Sequence, residues 1–484
     1  MKTETAPSGV LVNGEWLPSE ASTGVRDKFT NEVYAEVGLA SPDQVRQAVD
    51  SACQAALTPL PGYERARILL ATASILEGRA KGIHEAYVAE TGFTRADASG
   101  EFGRMLHTLR LCAGEATRIA GEEVPIRDSP GSENRLAFTI RVPVGVVGAI
   151  APFNAPLNTV MHKIGPALAA GNAVVLKPAD QTPLCSIALV QAFLDAGLPA
   201  GLLNLVCGPG RSTGAALVAD PRVRFFTFTG STAVGLKIKQ QSGVAKTHLE
   251  LGANSATIVA ADADLDSVTE FVARAGYRKA GQVCTSVQRL LVDEAVADDL
   301  WDRLRMRVES MSAGNPRHEE TIVGPVISME DARRAGEWVR ESSGRSIVGG
   351  EVEGSVVTPA LVQAPRQDSR LMRDEIFAPV VALVPVASLD EAISMVNNGD
   401  YGLQAGVFTA DLDRAFDAAR RLHVGGVIIN DTSSYHADSM PYGGVKQSGY
   451  GLEGPKYAVE DMTDPRIIVL NLKQSTLTPT GGSR

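Results

Sequence analysis

The 484 residues are 44% hydrophobic and 21% charged, the balance of an ordinary soluble globular chain, and at roughly 150 residues per domain they make about three structural units. One small domain, a disordered chain and a coiled coil are excluded. Lys and Arg number 46 against 56 Asp and Glu, a net charge of -10, which disfavours nucleic acid or an anionic membrane and leaves small molecules or proteins as partners. The 47 glycines are about 10% of the chain where about 7% is usual, and without a period they exclude collagen and suggest turns or backbone pressed against a ligand. Cys53, Cys112, Cys185, Cys207 and Cys284 form no CxxC pair and are too few for a disulfide scaffold, so reduced thiols in a cytoplasm are expected. The first residues show no basic region followed by an apolar run, and no apolar stretch is long enough to span a membrane.

Ser41-Pro42-Asp43-Gln44 combines an N-cap, a proline at the first helical position and a capping glutamine, and the apolar spacing that follows predicts a helix to about residue 57. Further helices are predicted over roughly 64–80 and 101–119, making the N-terminal third mostly helical. From Val144 short apolar runs at 144–150, 172–177, 202–207, 223–228 and 255–260 alternate with helix-length segments at 157–170, 183–196 and 231–241. This is the signature of a parallel sheet covered on both faces, a doubly wound α/β domain with its ligand at the strand carboxyl ends. A second α/β region begins near Cys284, with strands at 287–292, 404–408 and 425–430 and helices at 294–310, 388–397 and 411–421. Segments 135–142 and 466–472 read as strands outside the main sheets, suited to pairing with another subunit. The last ten residues read as a flexible tail.

Cys284, in a small-residue turn, is either an inert buried thiol or a nucleophile; unaided, a thiol is only about 3% thiolate at pH 7 and needs an activating neighbour. Glu250 ends an otherwise apolar run, as a solvated terminus or as a general base whose pKa is raised by apolar surroundings. Asn154, between two prolines, is a turn residue or an oxyanion donor. Lys177 and Asp180 end the second strand, where they form a charged loop or hold ribose hydroxyls. Gly208, Gly210 and Gly214 form a weak GxGxxxG loop, and Ser231 would cap a helix whose amide donors face a phosphate. The seven histidines show no metal-ligand spacing, so no metal is expected.

Taken in order, Pro152-Phe153-Asn154, Leu176-Lys177-Pro178, Phe228-Thr229-Gly230-Ser231-Thr232, Leu249-Glu250-Leu251-Gly252, Gly281-Gln282-Val283-Cys284 and Glu375-Ile376-Phe377-Ala378-Pro379 resemble the aldehyde dehydrogenase superfamily over residues 10–473. The resemblance implies a Rossmann-like cofactor domain (1–121 and 143–252), an α/β catalytic domain (253–450) and a small β oligomerisation element (122–142 and 451–484), assembled as a homodimer or homotetramer. It implies that Cys284 attacks the aldehyde, that Asn154 and the Cys284 amide hold the oxyanion, and that Glu250 activates water against the thioester. For the cofactor it implies Lys177 and Asp180 on the adenosine ribose, Ser231 on the pyrophosphate, and Glu375 and Phe377 at the nicotinamide ribose. Ile150, Ala151, Pro152, Phe153, Gly210, Gly214, Phe228, Gly230, Val234, Leu251 and Gly252 complete that site. Asp180 stands where glutamate is frequent; its charge would repel a 2'-phosphate by a few kcal/mol at about 4 Å, which favours NAD over NADP. Ala253 replaces a usual glycine beside Glu250.

Ala155, Asn158 and His162 match tunnel-wall positions that are often aromatic or aliphatic, so a hydroxylated or anionic aldehyde is expected. The stretch from Asn430 to Gly444 resembles the lactaldehyde and phosphonoacetaldehyde dehydrogenase branch. Val283 and His436 stand where phosphonate-using relatives tend to place arginine, which argues against a doubly charged phosphonate. Arg104 and His436 are candidate anion contacts, Thr285 completes the pocket, and Arg289 matches a structural position. The alternatives are a CoA-acylating semialdehyde dehydrogenase, which Glu250 disfavours, a non-catalytic structural member of the family, and a thiol hydrolase using Cys284.

Overall fold

The computed structural model describes residues 9–472; the tail at 475–484 and the first eight residues lie outside them. Two sheets, each with its own apolar core, make up most of the chain. In the first, five parallel strands run in the order Leu203–Val206, Ala173–Lys177, Val146–Ile150, Val223–Thr229, Lys246–Glu250. Numbered along the chain this is 3-2-1-4-5, the doubly wound order, with the switch point between Val146–Ile150 and Val223–Thr229. Three of the strands are buried at every residue, which is why they read as continuous apolar runs.

The helix Pro42–Ala56 carries the expected reciprocal cap: the Gln44 amide donates to the Ser41 hydroxyl and the Ser41 amide to the Gln44 side chain. The predicted helices at 64–80, 157–170, 183–196 and 231–241 appear as Gly62–Gly78, Asn158–Ala170, Pro183–Asp195 and Thr232–Gln241. The one expected from 101 starts earlier, at Arg95, because Thr94 and Asp97 form a second capping box.

Other readings need correction. Residues 10–39 are not helical but four strands. Val10–Val12 lies antiparallel on Leu203–Val206, extending the first sheet, and Ala21–Arg26 pairs with Val33–Leu39 as a hairpin. A helix at Ala80–Thr91 was also missed. The run at 255–260 appears as Ala256–Val259 and belongs to the second sheet, so that region begins before Cys284.

The second sheet runs Ser346–Val348, Ala360–Gln363, Val380–Val386, Arg289–Asp293, Ala256–Val259, Gln404–Phe408, Gly426–Ile429, parallel except at its first strand. Its helices Glu294–Glu309, Leu389–Asn397 and Leu412–Arg421 lie where predicted, while Met329–Glu341 and the two strands Ala360–Gln363 and Val380–Val386 went unread. Gly449–Tyr450 crosses back to the first sheet, antiparallel to Lys246–Glu250.

Outside both sheets, Arg135–Pro143 pairs along its full length with Thr463–Asn471, and Glu123–Val124 adds a third strand. Ile467, Val469 and Leu470 are exposed on this ribbon. Residues 455–461, assigned from sequence to the same element, instead form a helix, and Val459 and Met462 beside it are buried in the first core.

The two sheets meet at a tight turn before Cys284, where Lys279, Ala280 and Gly281 all adopt left-handed backbone (φ 52°, 52° and 67°). A side chain at 281 would run into the Ala378 carbonyl, so the turn needs both the conformation and the missing Cβ. Gly281→Ala is expected to destabilise the fold by more than about 2 kcal/mol and to displace the 282–286 loop, which a denaturation midpoint against wild type measures.

Candidate active site

A single cavity of about 1040 Å³ opens at the switch point between the sheets. Apart from Gly208 of the glycine loop, the residues singled out from sequence for catalysis, cofactor or substrate line it, from Lys177, Asp180 and Gly210 at one end to Cys284, Arg104 and His436 at the other. A small aldehyde alone would leave most of this volume empty.

At the centre stands Cys284, carried by the strained turn. The one hydrogen-bond partner of its Sγ among the described residues is the Tyr442 hydroxyl, at 3.0 Å. Burial pushes the thiol up to about 12, against which the Tyr442 hydrogen bond acts. Asn154, in the loop after Val146–Ile150, donates from Nδ2 to the Gln282 carbonyl at 2.8 Å, so its amide is fixed against the nucleophile loop with a second hydrogen left.

Glu250 ends its strand fully buried, not as a solvated terminus. Oε1 lies 3.1 Å from His248 Nε2, and Oε2 has no partner. Burial and the neighbouring Glu453 carboxylate hold its pKa well above the usual range, with Lys163 opposing. His248 is pushed down to about 4 by burial and is neutral. Burial also raises Glu453, but Lys163, 3.1 Å away, outweighs it and keeps Glu453 ionised. Lys163 reaches on to Thr229 at 2.7 Å.

Toward the other end, Lys177 Nζ donates to Asp180 Oδ1 at 2.7 Å, so the two expected ribose contacts form one pair. Ser231 occupies the N-cap of Thr232–Gln241, but its hydroxyl makes no capping bond, leaving the amide donors of that helix open beside Gly230 on the cavity wall. Glu375 accepts from the Ala253 amide at 3.0 Å, and burial, partly offset by that amide and Arg334, pushes it up to about 7. Phe377 is held at φ 51°, edge-on to Phe153 with ring centroids 5.7 Å apart.

The expected substrate wall is polar, but much of its polarity is already spent internally. Asn158 donates to Asp438 at 2.9 Å and accepts from Thr108, and Arg104 is paired with Asp438 at 2.6 Å and touches His436. Burial raises Asp438, yet the hydrogen bonds from His162 and Arg104 hold it well below the carboxylate range. Two buried ring nitrogens, His162 Nδ1 and His436 Nε2, lack partners. Arg289 is structural as expected, donating to the Asn254 carbonyl at 2.8 Å.

Reading the sequence missed several groups. Arg278, largely buried on the cavity wall, bonds to the Ser434 hydroxyl at 2.9 Å and has no carboxylate partner among the described residues. Glu101 lies one helical turn before Arg104 and accepts from Tyr87, Lys279 and the amides of Leu157 and Asn158. Its helical spacing to Arg104 was the available signal. Tyr442 lay within the stretch from Asn430 to Gly444, read there only for its resemblance. Nothing local marked Lys163 or Glu453, whose partners are 290 residues apart.

This arrangement gathers a cysteine, an asparagine and a buried carboxyl on one cavity of a doubly wound fold, and comparison with known proteins gives the family. The aldehyde dehydrogenase family model matches residues 16–468, and the chain belongs to that family. It is 46% identical over 473 residues to the 3-sulfolactaldehyde dehydrogenase of Priestia aryabhattai, covering 97% of this chain and 99% of that one. It is 33% identical over 473 residues to the lactaldehyde dehydrogenase of Methanococcus aeolicus, covering 96% and 100%. Among solved structures, aldehyde dehydrogenase 21 of Physcomitrella patens in complex with succinate superposes with a TM-score of 0.94 at 33% identity, covering 98% and 100% of the two chains. The NADP-dependent glyceraldehyde-3-phosphate dehydrogenase of Bacillus halodurans C-125 complexed with NADP gives 0.93 at 34%, covering 96% and 100%. No helix among the described residues is long and apolar enough to cross a membrane.

The Lys163–Glu453 pair is checked by Lys163→Met, which leaves a buried carboxylate unpaired. Stability is expected to fall by about 3 kcal/mol at pH 8 in chemical denaturation. In the variant, burial raises the Glu453 pKa above its unfolded value. The deficit should therefore shrink below the ordinary carboxylate pKa, where Glu453 is protonated in both states, and grow as pH rises.

Proposed function

We propose that this chain oxidises a small anionic or hydroxylated aldehyde to its carboxylic acid, with NAD favoured over NADP as acceptor, through a Cys284 thioester hydrolysed by water that Glu250 activates. The observation that carries this reading is the convergence of Cys284, Asn154 and Glu250 on one cavity that also holds an open helix N-terminus and the Lys177–Asp180 pair.

The donor set fits a dinucleotide. Backbone amides at the start of Thr232–Gln241 face the place of a pyrophosphate, Lys177 and Asp180 offer a donor and an acceptor to ribose hydroxyls, and Glu375 accepts from the second ribose. When bound, the nicotinamide supplies the hydride acceptor. Asp180 is half exposed, and a 2'-phosphate there would have to displace its carboxylate from Lys177, which supports NAD.

Cys284 Sγ adds to the aldehyde carbon while Asn154 Nδ2 and the Cys284 amide hold the oxygen. Glu250, with one oxygen fixed by His248 and the other unpartnered, then takes a proton from the attacking water. A base at this position favours hydrolysis over transfer to CoA. The guanidinium of Arg278 and His436 Nε2 offer unspent donors to a substrate anion or hydroxyl, and His162 Nδ1, whose ring donates to Asp438 from Nε2, offers an acceptor to a hydroxyl, in keeping with the sulfonated and hydroxylated aldehydes named for the relatives. The exposed apolar residues on Thr463–Asn471 support a homo-oligomer, and five free thiols support a cytoplasmic location.

The test is a spectrophotometric screen of 3-sulfolactaldehyde, lactaldehyde, succinic semialdehyde and benzaldehyde with NAD and NADP. Anionic or hydroxylated aldehydes are expected to exceed benzaldehyde in kcat/KM by at least about 100-fold, and an aromatic preference would overturn the substrate reading. Cys284→Ala should abolish reduction of the nucleotide. Glu250→Gln should slow turnover by roughly 100-fold to 10,000-fold and let an acyl-enzyme accumulate, visible by mass spectrometry.

The pH profile follows from the same carboxyl. Glu250 acts only when deprotonated, and its pKa is raised, so activity should climb with pH along a limb centred well above the ordinary carboxylate value near 4.5. Glu250→Gln should remove that limb; a wild-type limb centred near 4.5 contradicts the buried base.

A further inference from the structure

We propose that Tyr442 is a catalytic residue of this chemistry: its hydroxyl donates to the Cys284 sulfur whenever that sulfur carries negative charge, in the attack on the aldehyde and again when the thioester breaks. The inference rests on Cys284 as the nucleophile and adds what activates it.

Thiolate formation in a water-poor site needs a partner. The common partners are an imidazole or an ammonium, and neither contacts Sγ among the described residues, whereas the Tyr442 hydroxyl lies 3.0 Å away. Ala253, Leu403 and Met440 surround the pair with apolar surface, so a hydrogen bond there meets little competition from solvent. The hydroxyl is also held in place. The Tyr442 and Glu453 backbones exchange two hydrogen bonds, at 3.2 and 2.6 Å, and the phenol ring stands edge-on to His436 with centroids 4.5 Å apart. A fixed donor stabilises charge without reorganising when the charge appears. The phenol itself stays protonated, because burial and the nearby Cys284 and Glu250 charges hold its pKa well above the ordinary value.

In the first step the thiol proton leaves to water, a sulfur lone pair forms the S–C bond, and the carbonyl π pair moves to oxygen. Once that carbon is oxidised to the acyl level, for which a bound nicotinamide would supply the hydride acceptor, water oxygen bonds to the acyl carbon and its proton goes to Glu250. The S–C bond then breaks, and its electron pair returns to sulfur. Tyr442 donates a hydrogen bond to sulfur in both steps and keeps its proton. It lowers the cost of the attacking thiolate and of the leaving thiolate alike.

The test is the rate at which iodoacetamide alkylates Cys284 in the nucleotide-free protein, followed by peptide mapping from pH 6 to 11, in wild type and Tyr442→Phe. With the thiol pushed up to about 12, the whole range lies below its midpoint, so loss of a hydrogen bond to a charged sulfur is expected to slow alkylation about ten-fold throughout. Turnover should fall by a similar factor. An unchanged profile would overturn the proposal, and so would a slowing with no matching response to the acidity of the phenol at 442, since that outcome reports access and not ionisation. If Tyr442→Phe does not fold, 3-fluorotyrosine at 442, a more acidic phenol of nearly the same shape, should speed alkylation near neutral pH; no change would be equally fatal. Cys284→Ala separates the two readings. If that variant still oxidises aldehyde, the underlying mechanism falls, and if it is inactive while Tyr442→Phe behaves as wild type, only the role of Tyr442 falls.

Discussion

The carboxylate of Glu101 is buried, and a buried charge must be paired and hydrogen-bonded or give up its proton. Its two oxygens take four donors from three directions: the Tyr87 hydroxyl, the amides of Leu157 and Asn158, and the ammonium of Lys279. Each tie fixes a different part of the site. The amides belong to the start of Asn158–Ala170, so the carboxylate also caps a helix whose own N-cap residue, Leu157, has no side-chain donor or acceptor. Lys279 is the first of the three left-handed residues before Cys284, and it also donates to the Asn154 carbonyl at 3.0 Å. The loop that carries Asn154 and the turn that carries Cys284 thus meet at one ion pair.

This tie explains why the strained turn persists. Two non-glycine residues in left-handed backbone cost of order 1–3 kcal/mol each. They are held because the Lys279 ammonium has two buried oxygen partners and because Gly281 packs against the backbone at Ala378. Gln282 completes the clamp, since its carbonyl receives Asn154 and its side-chain oxygen receives the Ile327 amide at 3.0 Å.

What could be read from sequence followed the range of the interactions. The parallel strands announced themselves because burial on both faces demands unbroken apolar runs, and the helix at 42–56 because its cap is written within four residues. Val10–Val12 gave no such signal, since a three-residue strand becomes one only by pairing with Leu203–Val206 nearly 200 residues later. The hairpin Ala21–Arg26 with Val33–Leu39 is largely exposed and shows no core-facing alternation. The cavity wall divides in the same way. Cys284, Glu250 and Asn154 stand in stretches whose local texture is unusual, whereas Lys163, Arg278 and Asp438 matter only through partners that the fold brings from elsewhere. The readings of Asn158 and Arg104 as open substrate contacts overstated them for that reason. Asp438, invisible as a site residue in the sequence, already occupies both.

The protonation pattern of the cavity has one source. Burial raises Cys284, Glu250 and Glu375 together, so in the ligand-free site the groups that must lose a proton to act are those that hold one most firmly. Glu453 escapes because Lys163 is committed to it, as Asp438 does through His162 and Arg104. Placing that ammonium nearer Glu250 would ionise the base but also strengthen its attachment and weaken it as a proton acceptor. Setting the cation one carboxylate away leaves Glu250 with an unpartnered oxygen and a raised affinity for protons. The cost is activity at acid pH, and the gain is a base strong enough to draw a proton from water once the site is deprotonated. On the proposed mechanism, the same low-dielectric enclosure that makes the thiol reluctant to ionise would leave hydrolysis of the thioester to the water that Glu250 can reach.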